Sequence, residues 1–144
     1  MKLRIDNESL VEEFFQDTRM LGIMAPVKLY QFCWHLNQSL RFDFRINNDL
    51  EIQLTKKQRN YFFSIYEYDE AAGNAKHYLY NNQFDGEYLL PEFRHFDFLW
   101  LIRDELMKDE EIINLVTSIR SITIVQLVSE LSNEKIKNKQ HLIF

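Results

Sequence analysis

The sequence predicts a single α+β domain over residues 1–144, with a mostly antiparallel sheet of five to six strands, two main helices and a C-terminal βαβ unit. Three observations predict this class. The length, 144 residues, is the usual size of one domain. Apolar residues recur at helical spacing in two segments and alternate with polar residues in several others. Twelve Phe, seven Tyr and two Trp against three Gly and two Pro favour packed elements joined by short loops.

Two helices are predicted from apolar residues that recur every three or four positions. The first, Val27–Leu40, follows Pro26, a residue suited to a first helical turn. Its buried stripe is predicted to comprise Leu29, Cys33, Leu36 and Leu40, with Val27, Tyr30 and Trp34 beside it. The second helix, Asp109–Arg120, begins with three acidic residues and ends with a basic one, which suits the helix dipole.

Alternating apolar and polar residues predict two hairpins. Phe42–Ile46 and Leu50–Leu54 are predicted to pair around a turn at Asn47-Asn48, because Asn tolerates positive φ. Tyr61–Tyr68 and Lys76–Tyr80 are predicted to pair around a turn that contains Ala, Gly and Asn. Four antiparallel strands are therefore expected in this half of the chain.

The remaining strands are predicted near the two ends of the chain. Phe15–Ile23 alternates loosely and is a candidate first strand, although Ser9–Phe15 is equally open to a helix. Phe96–Ile102 is apolar on both faces except at Asp97, which is typical of a central strand covered on two sides. Ile122–Leu131 is extended again, and the helix before it would make a crossover that sets the last two strands parallel.

Charge limits the classes of function. The formal net charge is −5, so the chain has no overall positive field for nucleic acid, which is disfavoured as a partner. A small basic cluster, Lys135, Lys137 and Lys139, lies within residues 132–144, a segment open to interpretation as an extended, solvated C-terminal tail.

The compartment is predicted from cysteine content and from apolar segments. Cys33 is the single cysteine and cannot form an internal disulfide, which fits a reducing compartment. No segment has the apolar length of a transmembrane helix, and Met1–Asp6 lacks the pattern of a signal peptide. A cytoplasmic protein without a membrane partner is therefore expected.

A motif in the C-terminal half resembles the signature of a known family. Leu90-Pro91-Glu92 is followed, after three residues, by Phe96-Asp97-Phe98. This motif resembles that of the IPExxxVDY family, small bacterial proteins named for the signature, with Leu90, Phe96 and Phe98 in place of the family's Ile, Val and Tyr. The chain length and the last residues, 138–144, are also similar to those of the family. The resemblance implies an architecture and a motif, but no chemistry.

The candidate site consists of four motif residues: Pro91, Glu92, His95 and Asp97. A carboxylate inside an apolar strand incurs a desolvation penalty unless it is hydrogen-bonded or paired. The favoured interpretation of Asp97 is structural, with backbone N–H groups or an Arg as partner, and the alternative is a ligand-binding or general-base carboxylate. His95 would share the strand face of Asp97. Glu92 would point to the opposite face unless the chain turns after Pro91 and brings the two acids to one edge.

Motifs for catalysis and cofactor binding are not recognisable. The sequence has no Gly-x-Ser-x-Gly elbow and no Gly-rich phosphate loop. The other histidines, His35, His77 and His141, lack the spacing of metal ligands. Neither a cofactor nor a metal is expected, no catalytic residue is assigned, and an enzyme is the less favoured interpretation.

Three classes of function stay open. The favoured one is a noncatalytic protein-interaction module that associates with itself as a homodimer, because the tyrosines between Tyr61 and Tyr80 would form an adhesive surface. The alternative is a small-molecule binding protein or enzyme with a site around Glu92, His95 and Asp97. The least favoured is single-stranded nucleic-acid binding through the same tyrosines and the lysine cluster.

Overall fold

A computed structural model describes residues 2–144, with side chains from residue 8 onward, so the side chains of residues 1–7, and with them those of the segment Met1–Asp6, lie outside the described residues. The helices are α1 (Lys2–Phe14), α2 (Leu29–Ser39) and α3 (Asp109–Arg120). The strands are β1 (Thr18–Met24), β2 (Arg45–Lys56), β3 (Arg59–Asp69), β4 (Lys76–Asn81), β5 (Gln83–Phe84), β6 (Glu87–Tyr88), β7 (Phe98–Arg103) and β8 (Leu127–Leu131). Short 3₁₀ turns occupy Pro91–Phe93, Asn133–Lys135 and Lys139–Leu142.

Six strands form one sheet in the order β2-β3-β4-β7-β1-β8, and every neighbouring pair is antiparallel. β5 and β6 form a separate small hairpin. β7 and β8 run parallel to each other because both are antiparallel to β1, which lies between them. The predicted α+β class and antiparallel sheet are confirmed, and the βαβ unit is present with β1 inserted between its two strands.

β7 lies in the part of the sheet that is covered on both faces. Its side chains alternate between two apolar layers, and none is more than 2% exposed from Phe98 to Ile102. Phe98, Trp100 and Ile102 pack with α2 and α3, whereas Leu99 and Leu101 pack with α1 and the C-terminal segment. The central strand predicted at Phe96–Ile102 is therefore confirmed, although it begins at Phe98.

The predicted helices agree closely with the structure. α3 has the predicted bounds, and α2 begins two residues later and ends one residue earlier than predicted. At the N-terminus the helical alternative is correct as far as Phe14, and the strand begins at Thr18. No helix among the described residues has the length and apolar character needed to span a membrane.

The hairpin predicted around Asn47-Asn48 is wrong. β2 continues through both residues as one strand, and its register against β3 shifts between Ile46 and Glu51. The Asn47 side chain accepts the backbone N–H of Asp49 at 2.9 Å, so it supports the irregularity within the strand instead of a reversal. β2, β3 and β4 thus form three strands where four were predicted.

The turn between β2 and β3 lies at Lys57-Gln58. Both residues have positive φ, 51° and 65°, which is the combination that a two-residue hairpin turn with the favoured twist requires. Lys56 pairs with Arg59 immediately beside this turn. The second predicted hairpin is confirmed, because β3 pairs with β4 from Ile65 to Asp69.

The C-terminal segment, residues 132–144, is not an extended tail. Ile136 and Leu142 are buried in the layer that covers one face of the sheet. The Tyr80 hydroxyl donates a hydrogen bond to the Leu142 carbonyl at 2.9 Å. Burial of these two apolar side chains stabilises the segment against the sheet. The lysine cluster of the segment suggested a solvated tail and did not indicate this burial.

The tyrosines of the hairpin strands are not the exposed surface that the sequence predicts. Tyr61, Tyr78 and Tyr80 are buried in the core layer, and Tyr66 and Tyr68 are half-buried. On β3 the exposed aromatic residue is Phe62. The prediction failed because the five tyrosines face the covered layers of the sheet, whereas Asn60, Phe62 and Ser64 occupy the uncovered positions of β3.

Candidate functional site

The motif from Leu90 to Asp97 is a compact segment that leads into β7. Pro91–Phe93 form one 3₁₀ turn, and the chain bends again before Phe98. The prediction that Asp97 lies inside the central strand is therefore wrong, since Asp97 precedes the strand and is exposed. Its backbone still joins the sheet, because its N–H donates to Ile23 at 2.8 Å and its carbonyl accepts the Asn82 N–H at 3.0 Å.

Asn82 is buried beneath the motif segment and forms hydrogen bonds to it. This residue was not among the site residues predicted from the sequence. It is fully buried, and its side-chain amide donates to the carbonyls of Phe93 and Phe96 at 3.0 Å each. Its side-chain oxygen accepts the Leu90 N–H at 2.8 Å. One side chain thus uses both its amide donors and its oxygen on the backbone of the segment. The sequence signal, an Asn directly after a strand, is typical of any turn.

Gly22 allows the motif to lie close against the sheet. A Cβ placed on Gly22 would lie 2.6 Å from the ring of Phe96, far inside van der Waals contact. The ring therefore occupies the space that a side chain on β1 would need. Glycine in a strand interior is otherwise unfavourable, and its presence here reflects this close approach.

Glu92 binds the C-terminal segment. Its carboxylate accepts the backbone N–H groups of Lys137 and Asn138 at 2.6 and 2.9 Å, and the Asn138 side-chain amide at 2.8 Å. Partial burial alone would raise the pKa of Glu92, but these hydrogen bonds favour the ionised form and hold its pKa below the usual value. Glu92 thus has a structural role, and all of its described partners come from residues 137–138.

Asp97 fixes the entry to α2. Its Oδ2 accepts the Ala25 N–H at 2.9 Å, which fits the structural interpretation predicted for this carboxylate. Burial raises the pKa of Asp97, and the hydrogen bond from Ala25 offsets that effect only in part. Among the side chains that the structure describes, no Lys, Arg or His nitrogen lies within 4.0 Å of this carboxylate.

His95 does not join the other motif residues. It is exposed in the turn before β7, and its ring lies beside Phe96 with a centroid distance of 4.1 Å. No hydrogen bond connects His95 with Asp97 among the described side chains, so the predicted His-x-Asp pair on one strand face is wrong. The reason is that neither residue belongs to a strand. Glu92 and Asp97 are also held apart, each with its own backbone partners.

A groove of about 510 Å³ opens beside Asp97, and we call it the Asp97 groove. It lies between the start of α2 and the sheet. Its walls include Lys28, Tyr30, Ser64, Tyr66, Phe84 and Asp97. Asp85 also lines it and forms an ion pair with Arg59. Of the four residues predicted as a site, Asp97 is the one that this groove contains.

The outer face of α2 is the second feature that the sequence did not indicate. Phe32, Cys33 and Leu36 point inward, and Phe32 stacks on Phe98 with a centroid distance of 5.1 Å. Tyr30 and Trp34 point outward and are 57% and 58% exposed, although the sequence predicts them within a well-buried helix. With Val27, Gln31 and His35 they border a shallow depression of about 340 Å³. We call these five residues the α2 face.

The Asp97 groove and the α2 face are continuous. Val27 and Tyr30 line both of them. Together they form one surface with an aromatic ridge on the helix and a polar, partly aromatic groove beside it. Such a surface, with large aromatic side chains next to a few charged groups, is the composition enriched in protein interfaces.

The described part of the chain offers no cluster suited to a metal ion, since no group of three or more His, Cys, Asp or Glu side chains converges there. No family model matches the chain, and no curated protein or solved structure matches it.

Proposed function

We propose that the protein is a noncatalytic protein-interaction module that associates with itself as a homodimer through the α2 face. The observation that carries this proposal is the exposure of Tyr30 and Trp34. They lie four residues apart on one helix, so their rings occupy neighbouring positions on the same face. Burying two such rings against a partner removes a large apolar area from water.

The exposed rings of the α2 face are not needed to fill the core of the protein. The inward residues of α2 already fill the space above the sheet, and Phe32 and Leu36 are fully buried. Folding therefore gains little from Tyr30 and Trp34, whereas an interface would use both. Trp and Tyr are also the residue types that most often dominate binding energy when they lie at the centre of an interface.

A small-molecule binding protein is the second candidate, and the Asp97 groove favours it. The volume of the groove is within the range of ligand pockets, and it combines aromatic walls with a carboxylate of raised pKa. An enzyme that uses Glu92 and His95 with Asp97 receives no support from the geometry, because these residues have separate surroundings.

Membership of the IPExxxVDY family is also a proposal. The motif residues support it because each has a distinct role in this fold. Glu92 holds the C-terminal segment, Phe96 packs on Gly22, and Asp97 accepts the Ala25 N–H in the loop before α2. These contacts give the motif a structural role in the fold, and they assign it no chemistry.

Light scattering at micromolar concentration tests the proposed homodimer. We expect the wild-type protein to have twice the mass of its 17.5 kDa chain. Trp34→Ala should give the mass of one chain, because it removes a central aromatic ring. Ile113→Ala is the matched control, since Ile113 is 63% exposed on α3 and lies outside the α2 face. This control should stay dimeric, and a wild-type protein with the mass of one chain throughout would refute the proposal.

A further inference from the structure

We propose that the Asp97 groove pairs with Lys28 of a second copy of the chain, so that two reciprocal Lys28–Asp97 ion pairs fix the geometry of the homodimer. This inference rests on the proposed function and deepens it, because it names the groups that select the partner. Both residues line the same groove, but they are not an ion pair within one chain.

Two charged groups that line the groove lack a partner of opposite charge among the described residues. Lys28 is exposed at the start of α2, and no described carboxylate lies within 4.0 Å of its ammonium group. Asp97 likewise has no cationic partner, and its only described side-chain hydrogen bond comes from Ala25. Asp85, by contrast, is already paired with Arg59. One patch thus offers one acid and one base, each without a partner of opposite charge among the described residues.

Two-fold symmetry makes such a patch complementary to a second copy of itself. In a two-fold dimer the same patch meets itself, so if residue i of one copy contacts residue j of the other, then j also contacts i. A patch that contains one unpaired acid and one unpaired base is therefore complementary to its own copy. A patch with acids alone would repel itself.

The shared residues locate the two-fold axis. Val27 and Tyr30 border both the α2 face and the Asp97 groove. An axis that passes near them would bring the aromatic rings of the two copies together and place each Lys28 opposite the other groove. The Tyr30 and Tyr66 rings in the groove wall would also favour an incoming ammonium group through their π faces.

Charge variants test the inference by light scattering and by the dissociation constant of the dimer. Asp97→Asn keeps an oxygen for the Ala25 N–H and removes the charge, so we expect the dimer Kd to rise about tenfold with the fold retained. Asp85→Asn is the matched control in the same groove, because Asp85 has its own partner in Arg59. It should change the Kd by less than about twofold.

Mixing two reversed variants gives the decisive result. Lys28→Glu alone and Asp97→Lys alone should each be monomeric, since like charges meet across both halves of the two-fold interface. A mixture of the two should form a heterodimer, because every facing pair then has opposite charge. Thermal unfolding of each variant checks that it is folded. A variant that is not folded is replaced by a mixture of Lys28→Ala with Asp97→Asn, whose heterodimer keeps one of the two ion pairs and should therefore form more tightly than either homodimer.

The outcomes separate the inference from the proposed function. If Trp34→Ala is monomeric while Lys28→Glu and Asp97→Lys both stay dimeric alone, the proposed function stands and the ion pairs are refuted. If the reversed variants are folded and monomeric but do not associate when mixed, the reciprocal pairing is also refuted. If the wild type is a monomer, both fail together.

Discussion

At the residue scale, Asn82 determines where the motif segment lies. Its side chain makes three hydrogen bonds to backbone groups on both sides of the Pro91–Phe93 turn, and its own backbone makes two more, to Leu89 and Asp97. These partners are buried or partly buried, so they cannot turn to water when the amide is removed. Asn82 therefore holds in place the chain that carries Glu92, Phe96 and Asp97.

We predict that Asn82→Ala lowers the free energy of unfolding by about 2–4 kcal/mol, because it leaves the Leu90 N–H and the Phe96 carbonyl without partners and removes one of the two partners of the Phe93 carbonyl. Urea unfolding followed by circular dichroism measures the change. Gln83→Ala is the control, since Gln83 is exposed next to Asn82, and it should change the free energy by less than about 0.5 kcal/mol. A loss below about 1 kcal/mol for Asn82→Ala would contradict the proposed role.

Individual residues also show what the sequence could predict of the site. The expectation that backbone N–H groups satisfy Asp97 is met by Ala25. The location of Asp97 inside a strand was wrong, because apolar neighbours indicate burial but not the point at which a strand begins. Asn82 and Gly22 could not be assigned at all, since their roles depend on residues far away in the chain.

At the element scale, the β2–β3 hairpin shows how tertiary pairing overrides local preference. Asn47 and Asn48 have the residue type that favours a turn, yet the chain turns at Lys57 and Gln58, which tolerate positive φ less well. Ile52 and Leu54 of β2 are buried in the layer that contains α1, and they reach it only if β2 continues past the asparagines. Burial of these side chains therefore decides the position of the turn.

We predict that the double substitution Lys57→Asn with Gln58→Gly stabilises the protein by about 1 kcal/mol, because Asn-Gly suits two consecutive residues with positive φ. The melting temperature should rise accordingly. Asn48→Gly is the control, and it should lower stability by about 0.5–1 kcal/mol because glycine weakens a strand interior. A gain in stability from Asn48→Gly would instead support the turn that the sequence suggests.

At the scale of the whole molecule, a buried polar chain connects the helical layer to the surface. The Trp100 Nε1–H donates to His77 Nδ1 at 2.9 Å, so Nε2 carries the proton of the neutral ring and donates to Glu70 at 2.9 Å. His77 is 1% exposed. Burial lowers the pKa of His77, and Glu70 opposes that effect only in part. A second proton on His77 would sit on Nδ1 and face the Trp100 Nε1–H, so two donors would meet without an acceptor between them.

The free energy of unfolding should therefore fall as the pH is lowered. The folded pKa of His77 lies below its unfolded value of about 6.5, so the unfolded chain binds the proton more readily. The contribution of His77 is fully present above about pH 6.5 and is lost as the pH falls towards the folded pKa, with a limiting slope of about 1.4 kcal/mol per pH unit. Urea unfolding between about pH 5 and 7 measures this slope.

The matched variants assign the slope to one residue. His77→Gln can still accept from Trp100 but does not titrate, so it should flatten the pH dependence in this range. His95→Gln removes an exposed histidine and should leave the slope unchanged. Equal slopes for the wild type and His77→Gln would show that another group is responsible.

The overall arrangement was predictable only in part. The apolar faces of Phe96–Ile102 correctly predicted a covered central strand, although the strand begins at Phe98, and the acidic start of Asp109–Arg120 correctly predicted α3. The sequence does not show that β1 lies between β7 and β8, because strand order depends on pairings between distant segments.

The position of β1 joins an early segment of the chain to two strands that come much later in it. Within the described sheet, β8 is joined to its neighbours through β1 alone, and β1 also supplies one side of β7. A cut at any loop between Met24 and Phe98 would separate β1 from both of its partners. Neither fragment would then contain β1 together with the strands it pairs with, so each would expose a strand edge that the other fragment covers in the intact chain.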